Sequence, residues 1–113
     1  MNYRIKLSFD AAHWLPHYKG KCVNLHGHTW HVEFYVKVPT ELDKSGIGID
    51  FKELKRVLTD ILPDHMLVND VVTPPSAENL VQYLIKQAHR REVSVTKIVL
   101  WETDDNGIEL EVE

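Results

Sequence analysis

Three histidines and the single cysteine of this 113-residue chain have the types and spacing of a metal-assisted reaction centre. His26 and His28 are separated by one residue, so on an extended strand their side chains point to the same face, about 7 Å apart. His13 lies upstream and supplies a third imidazole. Three neutral imidazoles leave the fourth tetrahedral position of a zinc ion open, as in catalytic sites. The pattern predicts a Zn²⁺ site, although imidazole also suits copper, iron and nickel.

Two residues near these histidines leave alternatives open. His17 competes with His13 for the third ligand position, and Pro16 between them disfavours placing both on one helical turn. Cys22, four residues before His26, would close the site as a fourth ligand and make it structural. Alternatively, Cys22 stands off the metal as a thiolate that removes a proton.

Acidic residues elsewhere supply further candidates. Asp64 and His65 follow a helix-ending proline, and an imidazole held by a carboxylate is a common proton-transfer unit. Adjacent Asp and His side chains seldom bond to each other, so we expect a different partner for each. Glu102 ends an apolar strand, where it either accepts hydrogen bonds from an amidine-like ring edge or marks the exit from the core. Glu78, early in a helix, is explained by the helix dipole.

The composition is that of a single globular domain, residues 1–113, with 43% hydrophobic and 27% charged residues. The net charge of -4, without a Lys/Arg run, argues against a nucleic-acid partner. No apolar run approaches the ~18 residues of a membrane span. One cysteine excludes an internal disulfide, and the N-terminus lacks a signal-peptide core, so we expect a cytoplasmic protein.

Hydrophobic periodicity predicts an α+β fold in the order ββααββ, with two helices on one face of a four-stranded antiparallel sheet. Asp50 and Ser76 are placed to cap the helices, and Asn106-Gly107 indicates a hairpin between the last two strands. The open sheet edges favour symmetric assembly that continues the sheet between subunits. The predicted elements are strands 2–10 and 26–38, helices 50–62 and 76–90, and strands 94–102 and 108–112, with irregular segments at 11–25 and 64–75.

With these residues assembled, the chain resembles the 6-pyruvoyltetrahydropterin synthase superfamily over nearly its whole length. The Cys-x3-His-x-His element with an upstream Ala-Ala-His is the most specific part. Six motifs occur in order: Phe9-Asp10-Ala11-Ala12-His13, Cys22-Val23-Asn24-Leu25-His26-Gly27-His28, the segment 48–55, Asp64-His65-Met66-Leu67-Val68-Asn69, Pro75-Ser76-Ala77-Glu78-Asn79-Leu80 and Trp101-Glu102-Thr103.

The resemblance implies a T-fold, in which trimers close their sheets into a barrel and two trimers stack as a homohexamer. It also implies that the three histidines hold zinc and that Cys22 is the catalytic base. Asp64 and His65 would then be proton-relay partners, facing Cys22 from another subunit, and Glu102 would anchor a pterin ring.

Within the superfamily, the length and Cys22-x3-His26 look most like 6-carboxy-5,6,7,8-tetrahydropterin synthase of queuosine biosynthesis, which acts on 7,8-dihydroneopterin triphosphate. A 6-pyruvoyltetrahydropterin synthase without carbon–carbon cleavage is the alternative. Dihydroneopterin aldolase activity ranks lower, because relatives specialised for it usually carry Glu in place of Cys22. The alternative from a different class of protein is a non-catalytic zinc-binding module that serves assembly, with Cys22 completing a closed site.

Two features are not explained by the resemblance. The triphosphate needs cations, and no motif selects among Lys19, Lys21 and Arg4. Pro74-Pro75 stands where the superfamily usually has one proline, and we expect this change to alter an entry loop without touching a catalytic group.

Overall fold

The computed structural model describes residues 1–112, and its two longest strands are built from the alternating apolar pattern. β1 (Asn2–His13) pairs antiparallel with β2 (His26–Lys37) along its entire length, from Asn2 opposite Lys37 to His13 opposite His26. β1 is three residues longer than predicted. Ala11 and His13 continue its buried face, since they lie two and four positions after Phe9 in a strand whose side chains alternate between faces. The extension places His13 on a strand instead of in a loop.

The sheet has five strands in the described part of the chain, not the four that we expected. β3 (Met66–Leu67) pairs parallel with Ala11 and Ala12, inside a segment predicted to be irregular. A two-residue strand has no periodicity, so only the pairing with β1 reveals it. The other strands are β4 (Val95–Trp101) and β5 (Gly107–Glu111), and the order across the sheet is β3-β1-β2-β4-β5.

Two helices cover one face of this sheet. α1 (Phe51–Asp60) begins after Asp50, whose side chain accepts a hydrogen bond from the Lys52 amide. α2 (Ala77–Arg90) begins after Ser76, which accepts from the Asn79 amide. Both caps are the predicted ones and satisfy amides that have no intrahelical partner. The buried helical residues share one side of each helix and pack on the sheet: Leu54, Leu58, Leu80, Val81, Leu84, Ile85 and Ala88.

The hairpin between β4 and β5 turns through residues 102–106, a longer loop than a two-residue Asn-Gly turn. The Glu102 amide donates to the Asn106 carbonyl at 3.0 Å and closes this loop. Gly107 follows directly, and a Cβ there would lie 2.7 Å from the Trp101 ring and 2.8 Å from the Leu100 carbonyl oxygen. The close approach explains why the residue after Asn106 is a glycine.

The predicted α+β class and ββααββ order are therefore confirmed, with β3 as an addition. The sheet of one chain is open, with β3 and β5 at its edges. Its second face presents polar residues such as Arg4, Lys6 and Lys37. Among residues 1–112, no helix is long enough and apolar enough to cross a membrane.

Candidate metal and acid–base site

His13, His26 and His28 meet at the end of the β1–β2 ladder. His13 lies opposite His26, and His28 lies opposite Ala11 on the same face. Each residue offers a nitrogen within 4.8 Å of the other two. The ring centroids of His13 lie 4.6 Å from those of His26 and 5.3 Å from those of His28. The pairing of β1 with β2 thus brings His13 close to His26 and His28, so all three histidines lie on strands.

Backbone carbonyls fix the tautomers of two of these rings. His13 Nδ1 lies 2.7 Å from the Pro75 carbonyl oxygen, and His26 Nδ1 lies 2.7 Å from the Asn24 carbonyl oxygen. A carbonyl oxygen can only accept, so each Nδ1 carries the donated proton and each Nε2 presents a lone pair. In metal-binding histidines the ring nitrogen that does not bind the metal usually donates its proton to a backbone carbonyl, a carboxylate or water.

The three Nε2 atoms are buried and have no hydrogen-bond partner within the described residues. Buried polar atoms without a partner are costly and uncommon in proteins. The Glu102 carboxylate also faces them, with oxygens 3.8 Å from His13 Nε2 and 3.6 Å from His28 Nε2. Lone pairs and a carboxylate directed at one space repel unless a cation lies between them. The residues therefore fit a divalent metal such as zinc.

Trp30 supports the histidines from below. Its ring is fully buried and makes edge contacts with His13 and His28 at 5.4 Å between centroids. Its Nε1–H donates to the Ala11 carbonyl, and Phe9 stacks on it at 6.0 Å. The aromatic packing places the cluster at the edge of the hydrophobic core.

Burial lowers the pKa of His28; Glu102 opposes this shift, and His13 and His26 add to it. A lowered pKa keeps the imidazole neutral, the form that binds metal.

The loop between β1 and β2 carries Cys22 and His17. Cys22 lies half-buried in a short 3-10 helix, Lys21–Val23, and its carbonyl accepts from the Leu15 amide at 2.8 Å. Neither residue belongs to the group whose ligand atoms lie within 4.8 Å of one another. In the described residues His13, not His17, thus accompanies the His-x-His pair, and Cys22 stands outside the cluster.

Asp64 and His65 bond to each other, contrary to our expectation of separate partners. His65 Nδ1 lies 3.0 Å from Asp64 Oδ2. His65 adopts a left-handed backbone conformation with φ of 56°, which is uncommon for a residue other than glycine. The second Asp64 oxygen accepts from the Asp10 amide at 2.9 Å, and this bond, with His65 adding to it, lowers the pKa of Asp64.

A cavity of about 600 Å³ joins the two clusters. His28 lies on its wall together with Asp10, Thr29 and His65, while Leu25 and Met66 contribute apolar surface. One residue of each cluster, His28 and His65, therefore borders the same cavity. Cys22 does not line this cavity in the single chain.

Glu78 and Pro75 are two residues whose place the sequence did not reveal. Glu78, which we assigned to the helix dipole, lines a second cavity of about 270 Å³ together with Glu102. Pro74-Pro75 was expected to touch no catalytic group, but the Pro75 carbonyl oxygen contacts Nδ1 of His13, a proposed metal ligand. Sixty-two positions separate Pro75 from His13, and no local sequence pattern connects the two residues.

Relatives of known activity match nearly the whole chain. It is 32% identical to a dihydroneopterin monophosphate aldolase of Pyrococcus furiosus, covering 94% of this chain and 93% of the relative. It is 30% identical to the 6-carboxy-5,6,7,8-tetrahydropterin synthase of Haemophilus influenzae, covering 87% and 89%. The fold is similar to that of 6-pyruvoyl tetrahydropterin synthase from Caenorhabditis elegans, with a TM-score of 0.81 at 22% identity, covering 100% of this chain and 96% of that one.

One family model matches almost the entire chain. The sequence profile of 6-pyruvoyl tetrahydropterin synthase matches residues 3–113, which includes every element of the fold except the first residue of β1. The resemblance inferred from the motifs is thereby confirmed, and the chain belongs to the 6-pyruvoyl tetrahydropterin synthase family.

Proposed function

We propose that this protein, as one domain of residues 1–113, is a zinc-dependent 6-carboxy-5,6,7,8-tetrahydropterin synthase. It would convert 7,8-dihydroneopterin triphosphate and one water molecule to 6-carboxytetrahydropterin, acetaldehyde and triphosphate. The observation that carries the proposal is the set of three buried, unpartnered Nε2 atoms beside an open cavity. Three imidazoles without a fourth protein ligand are typical of a catalytic zinc site.

His13, His26 and His28 would hold the metal. When bound, zinc supplies a Lewis acid that binds side-chain oxygens of the substrate and acidifies the adjacent C–H bond. Cys22, which stands outside the histidine cluster, would remove that proton as a thiolate. A fourth-ligand role for Cys22 would instead place its sulfur among the histidine nitrogens.

Asp64 and His65 would transfer protons during elimination of triphosphate and the retro-aldol-type cleavage that follows. His65 is 80% exposed and lines the same cavity as His28, so its ring can reach a bound substrate. Asp64 orients that ring by accepting from Nδ1, as carboxylates do in other acid–base pairs.

Glu102 would anchor the pterin by accepting hydrogen bonds from its amidine-like edge. Its carboxylate lies 3.6 Å from His28 Nε2, which supports an anchor beside the proposed metal, so the ring and the reacting side chain would be held side by side. For the triphosphate, the exposed Lys19 and Lys21 are better placed than Arg4, whose guanidinium pairs with Glu33 at 2.6 Å and lies over the Tyr35 ring.

A homohexamer would complete the site. β3 and β5 leave both edges of the sheet unpaired in one chain, and pairing between copies would remove these edges. Cys22 and His65 do not share a cavity in the single chain, and a neighbouring subunit would bring them together. Light scattering of the zinc-loaded protein tests the stoichiometry.

The Pyrococcus furiosus relative makes aldolase activity the second candidate, since its 32% identity extends over nearly both chains. Cys22 argues against it, because relatives specialised for aldolase activity usually carry Glu at this position. A pyruvoyl synthase, with the same metal and thiolate, differs only in the final cleavage.

Product analysis by mass spectrometry separates these activities. The zinc-loaded protein is incubated without oxygen with 7,8-dihydroneopterin triphosphate, and separately with the monophosphate and with dihydroneopterin. Acetaldehyde with a carboxytetrahydropterin supports the proposal. A pyruvoyl product without acetaldehyde indicates the biopterin-type reaction. Glycolaldehyde phosphate from the monophosphate, or glycolaldehyde from dihydroneopterin, indicates an aldolase, and absence of turnover indicates structural zinc.

A further inference from the structure

Asp10 and Thr29 form a cross-strand pair beside the acid–base residues. They lie opposite each other in β1 and β2, one register step from the pair of Ala11 and His28. The Thr29 hydroxyl donates to Asp10 Oδ1 at 2.5 Å. Both residues line the 600 Å³ cavity that contains His28 and His65. The pair is exposed and lies on the polar face of the sheet, so core packing does not account for it.

Asp10 holds Asp64 and His65 through two further bonds. Its amide donates to Asp64 Oδ1 at 2.9 Å, and its carbonyl accepts from the His65 amide at 2.7 Å. Its carboxylate also lies within 4.8 Å of both the Asp64 carboxylate and the His65 ring nitrogen. Three different groups of one residue therefore act on the acid–base pair.

The left-handed backbone of His65 needs such support. A non-glycine residue at φ of 56° costs free energy and persists where surrounding contacts determine it. The Asp10 carbonyl and the short β3 pairing hold the backbone of this segment against β1. Thr29 in turn restrains the Asp10 side chain, which connects the strand of His28 to the orientation of His65.

We infer that Thr29 and Asp10 are positioning residues that set the orientation of the His65 imidazole through Asp64. The inference rests on the proposed function for its consequence in turnover, since His65 is the proton-transfer group there. The Thr29 hydroxyl donates to the Asp10 carboxylate, the Asp10 backbone amide donates to Asp64 Oδ1, and Asp64 Oδ2 accepts from His65 Nδ1. Loss of the first bond releases the Asp10 side chain and broadens the range of ring orientations.

The test compares Thr29→Val, which keeps the shape of the side chain, with Thr29→Ser, which keeps the hydroxyl. Ser8→Ala is the matched control, because Ser8 lies on the same face of β1, opposite His31. We expect Thr29→Val to lower kcat about tenfold, with KM and zinc content unchanged, since misplacement of a proton-transfer group acts on the transition state. Thr29→Ser should restore most of kcat, and Ser8→Ala should leave it unchanged.

A double variant separates positioning through Asp10 from an independent effect. Since Thr29 acts through Asp10, adding Thr29→Val to Asp10→Ala should lower kcat no further than Asp10→Ala alone. Additive losses would overturn the inference. So would zinc loss in Thr29→Val, which would show that the pair supports the metal strand instead.

Imidazole NMR provides a readout that does not depend on turnover. Long-range ¹H–¹⁵N spectra of the zinc-loaded protein report the tautomer of His65, whose signal is identified by its loss in His65→Gln. We expect this signal to move in Thr29→Val and Asp10→Ala but not in Ser8→Ala. An unchanged signal overturns the inference. If the wild-type protein does not turn over the substrate, the proposed function fails, and these spectra still decide the positioning role.

Discussion

The two polar clusters of the site differ in how the fold holds them. The histidine cluster is the more buried: His13 is 1% exposed, its ring packs on Trp30 and its Nδ1 bonds the Pro75 carbonyl, while His26 and His28 are half-buried. The acid–base cluster is at the surface, with His65 80% exposed and held by Asp10 and Asp64. A buried ligand set is fixed by strand register, whereas an exposed pair needs its own hydrogen bonds to keep one orientation. The proposed metal ligands and the proposed proton-transfer pair are thus held by different kinds of contact.

Removal of a ligand tests the histidine cluster and should have the largest effect. His28→Ala should lower zinc occupancy and reduce kcat/KM by roughly 100-fold or more, a loss beyond that of an outer-shell partner. Metal analysis and steady-state kinetics measure both. His31→Ala is the matched control, because His31 is exposed on the opposite face of the same strand. Full zinc occupancy in His28→Ala would contradict the proposed ligand set.

Cys22→Ala tests whether the thiol belongs to the metal or to the proton transfer. We expect kcat to fall by about 10²–10⁴-fold, the contribution of a positioned base, with one zinc per chain retained. Metal content and single-turnover rates are the measurements. Loss of zinc with the thiol would favour a closed, structural site and would remove the proposed distinction between Cys22 and the histidines.

His65→Gln tests the surface cluster alone. The amide keeps a hydrogen-bonding group near Asp64 but cannot carry a proton, so kcat should fall by about 100-fold. Zinc content and the midpoint of thermal unfolding should stay at wild-type values, because the residue is exposed and outside the core. If zinc content fell together with kcat, the two clusters would be one unit.

Glu102→Gln tests the proposed pterin anchor, whose carboxylate faces the histidine cluster. Loss of the charged acceptor should raise KM about 10- to 100-fold with a smaller change in kcat, since a hydrogen bond to a charged group contributes about 1.5–3 kcal/mol. Zinc binding measured by competition with a chelator should change little. A large drop in zinc affinity would show that the carboxylate binds the metal, which its 3.6 Å distance from His28 Nε2 also allows.

The smallest effect is expected in the free energy of unfolding, where Asp64→Asn and wild type should differ in a way that depends on pH. The Asp10 amide lowers the pKa of Asp64 below its ordinary value, so Asp64 stabilises the fold above the unfolded-state pKa of about 4 and loses this effect as pH falls through its folded pKa. Urea unfolding of metal-free protein should show Asp64→Asn less stable than wild type at pH 7, with the gap closing below pH ~4. Asp105→Asn is the exposed-loop control. A gap independent of pH would contradict this origin.

The strand and helix pattern could be predicted because it is local. Alternation places every second residue of β2 on the core face, and Asp50 and Ser76 mark the helix starts that the structure shows. The His-x-His spacing then required two imidazoles on one side of a strand. β3 and the bond between His65 and Asp64 could not be predicted, since both depend on contacts with β1 more than 50 positions away.

The sequence by itself determined which residues could do chemistry: the three histidines, Cys22, the Asp64-His65 pair and Glu102. Only the tertiary structure decided how they are supported. The β1–β2 register placed His13 opposite His26, the Pro75 carbonyl selected the His13 tautomer, and Asp10 bound the acid–base pair to the same sheet. Side-chain type and short spacing are written along the chain, but hydrogen bonds between distant segments form only when packing brings those segments together.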